Sequence, residues 1–296
     1  MTDTIQLLAL DLDGTLLNDQ HEMSERTEKA LKAAMAQGVQ VVLATGKSRN
    51  SATGLIARLG CDTPGIYLQG LATYNGDGSL RYQSTLDPLI ARQVITFAED
   101  RGFSVVAYSG VRILVRSLSK GTEVLQKYGE PAPEVVGPLQ NLLDSTPINK
   151  LMAVKMGDHR AVPALRWQLS MQLDGAARLV QAGIPDMLEI LPPGASKGSA
   201  LKTLLQELNI PAANVLAAGD GENDIEMVKL AGIGVAVGNA SSQLKAAADH
   251  VVATNNEDGV AEAIERFVLR PATPEASAEG KPEPAVESEN EDKNEP

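Results

Sequence analysis

Two aspartates stand immediately after a short apolar run near the start of the chain. The apolar run is IQLLAL at residues 5–10, and DLDGT follows it at 11–15. The run predicts a buried strand, and Gly14 lets the chain turn tightly where that strand ends. The carboxylates of Asp11 and Asp13 repel each other at this spacing, and a cation between them would relieve the repulsion. The segment therefore indicates a strand end that holds a cation beside a nucleophile.

A second acidic segment follows another apolar run far along the chain. VLAA at 215–218 predicts a strand, and GDGEND follows it at 219–224. In an open parallel sheet the carboxyl ends of the strands meet at the edge where ligands bind. We therefore expect Asp220 and Asp224 to lie near the first pair and to complete a Mg²⁺ site, with water and substrate phosphate as further ligands. The alternative for Asp224 is an acid at a helix start, which the helix dipole favours.

The order of the predicted elements indicates an α/β fold. Residues 5–84 alternate strand, helix, strand, helix and strand, and the third strand falls at 65–68. This alternation is typical of a parallel sheet with right-handed crossovers. The parallel pattern returns at Lys197, which begins a helix. We therefore predict a Rossmann-like parallel-sheet core formed by residues 1–83 and 191–270.

Residues 84–190 have a different rhythm. Two strands joined by a turn are predicted at 103–116, and such a pair is antiparallel. We therefore expect residues 84–190 to form a separate α+β domain inserted into the parallel one. Trp167 is expected to pack in the core of this insert.

Composition excludes several classes of function. The net charge is −12, and residues 271–296 carry eight acids and two lysines, so this segment accounts for −6 of it. Its proline, glutamate, serine and alanine predict a disordered acidic tail. The remaining acidic body has no basic stripe for a nucleic acid, so the expected partner is a small molecule.

No apolar run reaches the roughly 18 residues of a membrane span, and the amino terminus lacks the basic region of a secretory signal. The lone cysteine, Cys61, excludes a disulfide framework and indicates a reducing compartment. We therefore expect a cytoplasmic protein with no membrane partner, or a protein of an organelle stroma or matrix if a transit peptide has been removed. Cys61 itself is expected to be a small buried thiol.

The aspartate pair suits phosphoryl transfer. A carboxylate nucleophile, Asp11, divides one hard displacement into two easier ones. Asp13 can protonate the leaving oxygen and later deprotonate the attacking water. The alternatives are a solvated surface turn with two acids and a calcium loop. A calcium loop requires glycine at its sixth position, where Leu16 stands.

Two further segments can bind phosphate. Thr45 and Gly46 end the second predicted strand, where a hydroxyl and a backbone N–H can hold phosphate oxygens. Lys197 can offset carboxylate repulsion and bind phosphate as a point charge. The alternatives are a helix cap for Thr45 and an ordinary surface lysine for Lys197. The glycines at 232–238 do not have the spacing of a dinucleotide site and precede their strand.

These segments together resemble the haloacid dehalogenase (HAD) superfamily of phosphatases. Its four signatures are matched in order by DLDGT at 11–15, Thr45-Gly46, Lys197 and GDGEND at 219–224. The insert between the second and third signatures resembles the C2-type cap of the Cof-like phosphatases. AGIGVAVGNA at 231–240 is similar to a stretch that follows in that subfamily. The resemblance covers about residues 5–269.

The resemblance implies roles for the matching residues. Asp11 would be the nucleophile and Asp13 the general acid and base. Mg²⁺ would be held by the Asp11 side chain, the Asp13 backbone carbonyl and Asp220, with Asp224 close by. Phosphate would be bound by Thr45, Gly46, Lys197 and Asn223.

The resemblance also implies a cap that closes over the substrate and sets its specificity. An arginine commonly follows Thr-Gly in this subfamily, and Lys47 stands at that position here. A lysine lacks the bidentate fork of a guanidinium, so this departure leaves open whether Lys47 contacts phosphate.

We therefore predict a Mg²⁺-dependent phosphatase that hydrolyses a small phosphorylated metabolite through an aspartyl-phosphate. The substrate class would be a sugar phosphate or an intermediate of a nucleotide or cofactor pathway. One alternative is a phosphomutase of the same fold, similar to the phosphomannomutase group, which would release an isomerised sugar phosphate. Another is a non-catalytic protein that binds a phosphate ligand without turnover.

Overall fold

The computed structural model of the chain describes residues 4–127, 129–181 and 186–269. The expected acidic tail, 271–296, lies outside these residues, so its disorder stays a prediction. Within these three ranges no helix has both the length and the apolar character that crossing a bilayer requires.

Strands and helices alternate along most of the described chain. The strands are β1 (Leu7–Leu10), β2 (Gln40–Leu43), β3 (Gly65–Tyr67), β4 (Ala72–Tyr74), β5 (Leu80–Gln83), β6 (Ser104–Ser109), β7 (Arg112–Val115), β8 (Glu134–Val135), β9 (Lys150–Val154), β10 (Arg178–Val180), β11 (Met187–Leu191), β12 (Val215–Gly219), β13 (Ile233–Ala236) and β14 (His250–Val251). The helices are α1 (Glu25–Ala36), α2 (Arg49–Leu59), α3 (Pro88–Glu99), α4 (Lys120–Lys127), α5 (Ala161–Leu173), α6 (Lys197–Leu208), α7 (Ile225–Leu230), α8 (Ser242–Ala247) and α9 (Gly259–Phe267).

Five strands form a parallel sheet in the order β14-β13-β12-β1-β2. The side chains of β1 and β12 are buried along their whole length, as expected of strands covered by helices on both faces. The strand β1 lies between β12 and β2, and Leu10 is in register with both Ala218 and Leu43. The α/β fold class with a parallel-sheet core is therefore confirmed, and the ends of β1, β2 and β12 lie side by side.

The third predicted strand, β3, is parallel to the chain that ends β2, as expected, but that pairing is limited to one bridge. β3 meets the parallel sheet only through a bridge between Ala44 and Ile66, and it pairs antiparallel with β4 in a separate sheet of order β3-β4-β5. The cause is a reversal directly after β3, where Leu68, Gln69 and Gly70 all have positive φ. A leucine and a glutamine give no sign in sequence of this left-handed backbone.

A second large sheet lies between β5 and α6 in the chain, in the order β10-β11-β9-β6-β7-β8. It is antiparallel except at β7–β8, and it contains the predicted antiparallel pair β6–β7. One face packs with α3 and α5, while Val106, Tyr108 and Met152 on the other face join the core of the parallel sheet. The division of the chain into a core domain and a cap domain, with the cap at residues 84–190, stays a prediction.

Trp167 does not pack in the core of the insert as expected. It lies on α5 and is 66% exposed, whereas Leu165 and Leu169 on the same helix are buried. Trp167 points away from the sheet because the buried apolar stripe of α5 is formed by residues such as Leu165 and Leu169. Cys61 is buried as expected, and burial raises the pKa of its thiol to about 11.

Candidate active site

Three acids meet where β1 and β12 end. The backbone N–H of Asp11 donates to the carbonyl of Ala218 at 3.1 Å, which holds the first residue after β1 against β12. Asp11, Asp220 and Asp224 each bring one carboxylate oxygen within 4.8 Å of the others. Asp11 is buried, so the solvated-turn alternative is wrong for this residue.

Small side chains allow the two strand ends to approach. Gly14 has φ +74°, and a Cβ on it would lie 2.6 Å from Oδ2 of Asp220. The hydroxyl of Thr15 donates to Oδ1 of Asp220 at 3.2 Å. The turn after β1 therefore needs glycine for its backbone and for the space that the Asp220 carboxylate occupies.

Replacing Gly14 with alanine should displace the Asp220 carboxylate and weaken the binding of any divalent cation, such as Mg²⁺, to the three acids. A matched control is Gly38→Ala, because Gly38 has φ +87° and nothing within 4 Å of an added Cβ. Both variants carry the strain of a left-handed alanine, about 1 kcal/mol or more, but only the first meets a carboxylate. Titration calorimetry with Mg²⁺ should show at least about tenfold weaker binding for Gly14→Ala alone. Equal affinities in the two variants would contradict this geometry.

Lys197 lies between two of the acids. It is only 1% exposed, so the surface-lysine alternative is wrong. Its Nζ donates to Oδ1 of Asp11 at 2.5 Å and to Oδ1 of Asp224 at 2.8 Å. Ser196 caps α6 by accepting from the N–H of Ser199, so the helix start that carries Lys197 is fixed locally.

Asp224 holds the loop after β12 in place. Its Oδ2 accepts from the backbone N–H groups of Asp220 at 3.1 Å and Gly221 at 3.0 Å. It stands directly before α7, but its side chain does not cap that helix. Asp224 therefore stands at a helix start, as the alternative has it, and its carboxylate also joins Lys197 to the loop that carries Asp220.

The cluster carries an excess of negative charge. Three carboxylates face one ammonium group, so two negative charges are left without a counter-charge when all are ionised. Burial, and then the charge of Asp224, raises the pKa of Asp11 well above its ordinary value and also raises that of Asp220. Burial alone would lower the pKa of Lys197, but Asp11 and Asp224 raise it. A hard divalent cation matches both this charge and these oxygen donors.

The carboxylate of Asp13 lies outside the three-acid cluster. It is 34% exposed and accepts from Nζ of Lys47 at 2.6 Å, and Nδ1 of His21 lies 3.0 Å from the same oxygen. His21 has φ +60° in a turn closed by the bond from the N–H of Asn18 to the carbonyl of Glu22. Asp13 is therefore held between two basic side chains on the open side of the site. The sequence did not reveal either partner.

Thr45 and Gly46 lie at the end of β2, beside the cluster. The hydroxyl of Thr45 accepts from the N–H of Lys47 at 3.1 Å, and the residue is buried. Ser48 is the residue that precedes α2, so the helix-cap alternative for Thr45 is wrong. A Cβ on Gly46 would lie 2.5 Å from Nε2 of Gln69.

Asn223 lies in the short turn before α7, and its Nδ2 donates to Oε1 of Gln69 at 3.0 Å. Sequence reasoning missed Gln69 and two charged residues behind it, Lys150 and Glu189. Both are buried in apolar strands, in the segments KLMAV at 150–154 and MLEIL at 187–191. A charged residue inside such a strand is a signal that could have indicated them.

A family model and a solved structure identify the same family for this chain. The sequence model of the haloacid dehalogenase-like hydrolase family matches residues 8–264 of this chain. A chloroplastic endoribonuclease YBEY of Arabidopsis thaliana is 37% identical over 269 residues, which are 88% of this chain but 46% of the plant protein. This chain thus spans just under half the length of that relative. An HMP-PP phosphatase of Cronobacter sakazakii is 30% identical over 246 residues, covering 83% of this chain and 89% of the relative.

A solved structure shows the same fold. The crystal structure of a haloacid dehalogenase-like hydrolase from Bacteroides thetaiotaomicron superposes with a TM-score of 0.81 at 31% identity. The match covers 89% of this chain and 99% of the other. The fold of this chain is therefore shared by a solved protein of that family over most of the length of both chains.

Proposed function

Since the chain belongs to the haloacid dehalogenase-like hydrolases, we propose that it is a Mg²⁺-dependent phosphatase acting through an aspartyl-phosphate on Asp11. The observation that carries this proposal is the meeting of Asp11, Asp220 and Asp224 around the buried ammonium of Lys197. A relative that is named as a phosphatase supports the same reaction class.

The first half of the proposed reaction forms a covalent intermediate. A carboxylate oxygen of Asp11 attacks phosphorus, and the bond from phosphorus to the leaving oxygen breaks. Asp13 protonates that oxygen as it leaves. Lys197 donates to the nucleophile in the resting site and offsets the charge of the incoming phosphoryl group.

The second half restores the site. Asp13, now ionised, takes a proton from water, whose oxygen attacks phosphorus and releases inorganic phosphate from Asp11. The hydroxyl of Thr45, the backbone N–H of Gly46 and the amide of Asn223 would hold the phosphate oxygens in both steps. Lys47 and His21 keep the carboxylate of Asp13 fixed on the side where the leaving group departs.

The donor set suits Mg²⁺. Asp11 and Asp220 would hold the ion through their side chains and Asp13 through its backbone carbonyl. Asp224 would hold it indirectly, because both of its oxygens already accept from Lys197 and the loop N–H groups. When bound, the ion would supply positive charge that lets an anionic nucleophile approach an anionic phosphate.

We propose a small phosphorylated metabolite as the substrate, either a sugar phosphate or an intermediate of a nucleotide or cofactor pathway. The Cronobacter sakazakii relative, named an HMP-PP phosphatase, supports this class. Residues 84–190 would be the cap that covers the substrate, since one face of their sheet joins the core beside the site.

A panel of phosphorylated metabolites, assayed with and without Mg²⁺, tests the function. Mg²⁺-dependent release of inorganic phosphate is the expected result. An isomerised sugar phosphate as the main product would identify a phosphomutase. Tight binding without turnover of aryl or acyl phosphates would identify a non-catalytic phosphate-binding protein.

Binding of Mg²⁺ should raise the unfolding midpoint of the metal-free protein. At a Mg²⁺ concentration of a hundred times Kd, mass action adds about 2.7 kcal/mol to the free energy of unfolding. Asp220→Asn should lose most of this gain, while Asp158→Asn, on an exposed side chain of the insert, should keep it. Thermal unfolding measures both, and an equal gain in Asp220→Asn would contradict the assigned site.

A further inference from the structure

A chain of polar contacts crosses from the six-stranded sheet to two loops of the active site. It runs from Asn223 through Gln69 and Glu189 to Lys150, and from Lys150 to the carbonyl of Gly46. Its two ends are residues proposed to bind phosphate. Its three middle members have no part in the reaction described above.

The ion pair in the middle is buried. The side chain of Lys150 is 1% exposed and that of Glu189 is 8% exposed. Lys150 donates to Oε1 of Glu189 and to the carbonyl of Gly46, the latter at 3.0 Å, and its Nζ lies 4.6 Å from the ring centre of Tyr108. Removing two charges from water costs free energy that good geometry only just recovers, so such a pair is weak evidence for a purely stabilising role.

The carboxylate of Glu189 determines which group donates and which accepts in the hydrogen bonds that link it to Gln69 and Gln69 to Asn223. Its Oε2 can only accept, so Nε2 of Gln69 points toward it, at 3.1 Å. Oε1 of Gln69 must then point the other way, and it accepts from Nδ2 of Asn223 at 3.0 Å. The amide of Asn223 is thereby fixed in one orientation, in which the contact with Gln69 uses one of its two N–H hydrogens. A flip of either amide would set two like groups against each other.

The same glutamine also confines Gly46. Gln69 is buried at φ +62°, and its Nε2 fills the space that a side chain at position 46 would need. Lys150 donates to the carbonyl of Gly46 at 3.0 Å. The backbone of the Thr45–Gly46 loop is thus held between a side chain of the core and one of the insert.

We propose that Gln69, Glu189 and Lys150 are positioning residues that orient Asn223 and Gly46 for phosphate binding. The inference rests on the proposed function, because it assigns phosphate to these two ends. The side-chain hydrogen bonds that the structure describes for the three middle members join them to one another, to Asn223 and to Gly46, so they act through these two residues. The insert then contributes to phosphate affinity as well as covering the site.

Direct binding of inorganic phosphate in the presence of Mg²⁺ tests this proposal without requiring turnover. Gln69→Leu keeps the size of the side chain and removes both amide contacts. Titration calorimetry should show phosphate bound at least about tenfold more weakly than by the wild-type protein, the effect of losing one bond in a charged network. Gln69→Asn, which suits positive φ but is one methylene shorter, should weaken it in the same direction.

Two control variants separate positioning from general docking of the insert. Arg112→Gln breaks an exposed ion pair with Glu134 inside the insert and should leave phosphate affinity unchanged. Glu130→Ala removes a carboxylate that accepts from the N–H of Ser48 at 3.1 Å and from the hydroxyls of Ser48 and Ser51, a contact between insert and core outside the chain of polar contacts. Weakening of phosphate binding by Glu130→Ala as large as that by Gln69→Leu would overturn the proposal.

The double variant Lys150→Met with Glu189→Leu removes both buried charges together, so neither is left unpaired. It should fold, as thermal unfolding will show, and it should bind phosphate as weakly as Gln69→Leu. Wild-type affinity in this variant would overturn the proposal.

If the wild-type protein binds phosphate but hydrolyses no phosphate ester, the proposed function fails, while the phosphate affinities of these variants still decide whether the three residues are positioning residues. If it binds no phosphate, both fail.

Discussion

Replacing Asp11 with asparagine should lower kcat by at least about 10⁴-fold, the loss expected when a group that reacts covalently is removed. An amide oxygen is a poor nucleophile, so this variant cannot form the aspartyl-phosphate. The fold should survive, because the amide oxygen can still accept from Lys197, as Oδ1 of Asp11 does at 2.5 Å. Steady-state release of phosphate from an aryl phosphate measures the effect.

The unfolding midpoint of Asp11→Asn in metal-free buffer provides its control. One of three clustered negative charges is removed, so the midpoint should equal or exceed that of the wild-type protein. Asp158→Asn should keep full activity. If Asp11→Asn retains more than about a tenth of wild-type activity, a barrier change of only about 1.4 kcal/mol, then Asp11 is not the nucleophile.

Replacing Lys197 with methionine should destabilise the protein by about 3–5 kcal/mol, the range measured when one partner of a buried ion pair is removed. Methionine has a similar shape but leaves the carboxylates of Asp11 and Asp224 facing each other without their common cation. Activity should also be lost, since the same ammonium group is proposed to bind phosphate. Urea unfolding in metal-free buffer measures the change in the free energy of unfolding.

The matched control is Lys202→Met, on an exposed side chain of the same helix α6. A surface lysine of this kind should change the free energy of unfolding by no more than about 0.5 kcal/mol. Mg²⁺ should recover part of the stability of Lys197→Met, because it supplies positive charge to the same carboxylates. Equal effects of the two substitutions would show that Lys197 does not hold the cluster together.

The sequence was sufficient to predict the parallel sheet and the acids at its edge. Strand ends are local features, and a buried run followed by DLDGT or GDGEND places its acids wherever the strand stops. Leu7 of β1 pairs with Val215 of β12, so the two runs are neighbours through the strand order of the sheet and not through closeness along the chain. Asp11, Asp220 and Asp224 therefore meet as the pattern indicates.

The partners of Asp13 and Asn223 could not be obtained in the same way. His21 reaches Asp13 only because a non-glycine residue adopts positive φ, and Gln69 does the same on the way to Asn223. Such backbone conformations depend on tertiary contacts rather than on residue type. Gln69 and Glu189 are 120 positions apart, so their contact needs the register of two sheets and not a motif.

The prediction for Trp167 was wrong for another reason. A lone tryptophan in a helix is large and apolar, which favours burial on average. Its position relative to Leu165 and Leu169 places it off the buried stripe of α5. Residue type alone was a weaker guide here than the periodicity of the helix that carries it.

The covalent intermediate is the central claim, and trapping it on Asp13→Asn tests it most directly. This variant keeps the nucleophile but lacks both the acid of the first step and the base of the second. With an aryl phosphate, whose leaving group needs little protonation, the intermediate should still form, while its dephosphorylation should be slowed by about 10²–10⁴-fold. The variant is mixed with Mg²⁺ and a phosphate ester that the wild-type protein hydrolyses, and the reaction is quenched in acid. The protein is then digested, and its peptides are measured by mass spectrometry. We predict one added phosphoryl group on the peptide that contains Asp11. A phosphoryl group on another residue, or none while phosphate is still released, would contradict the mechanism.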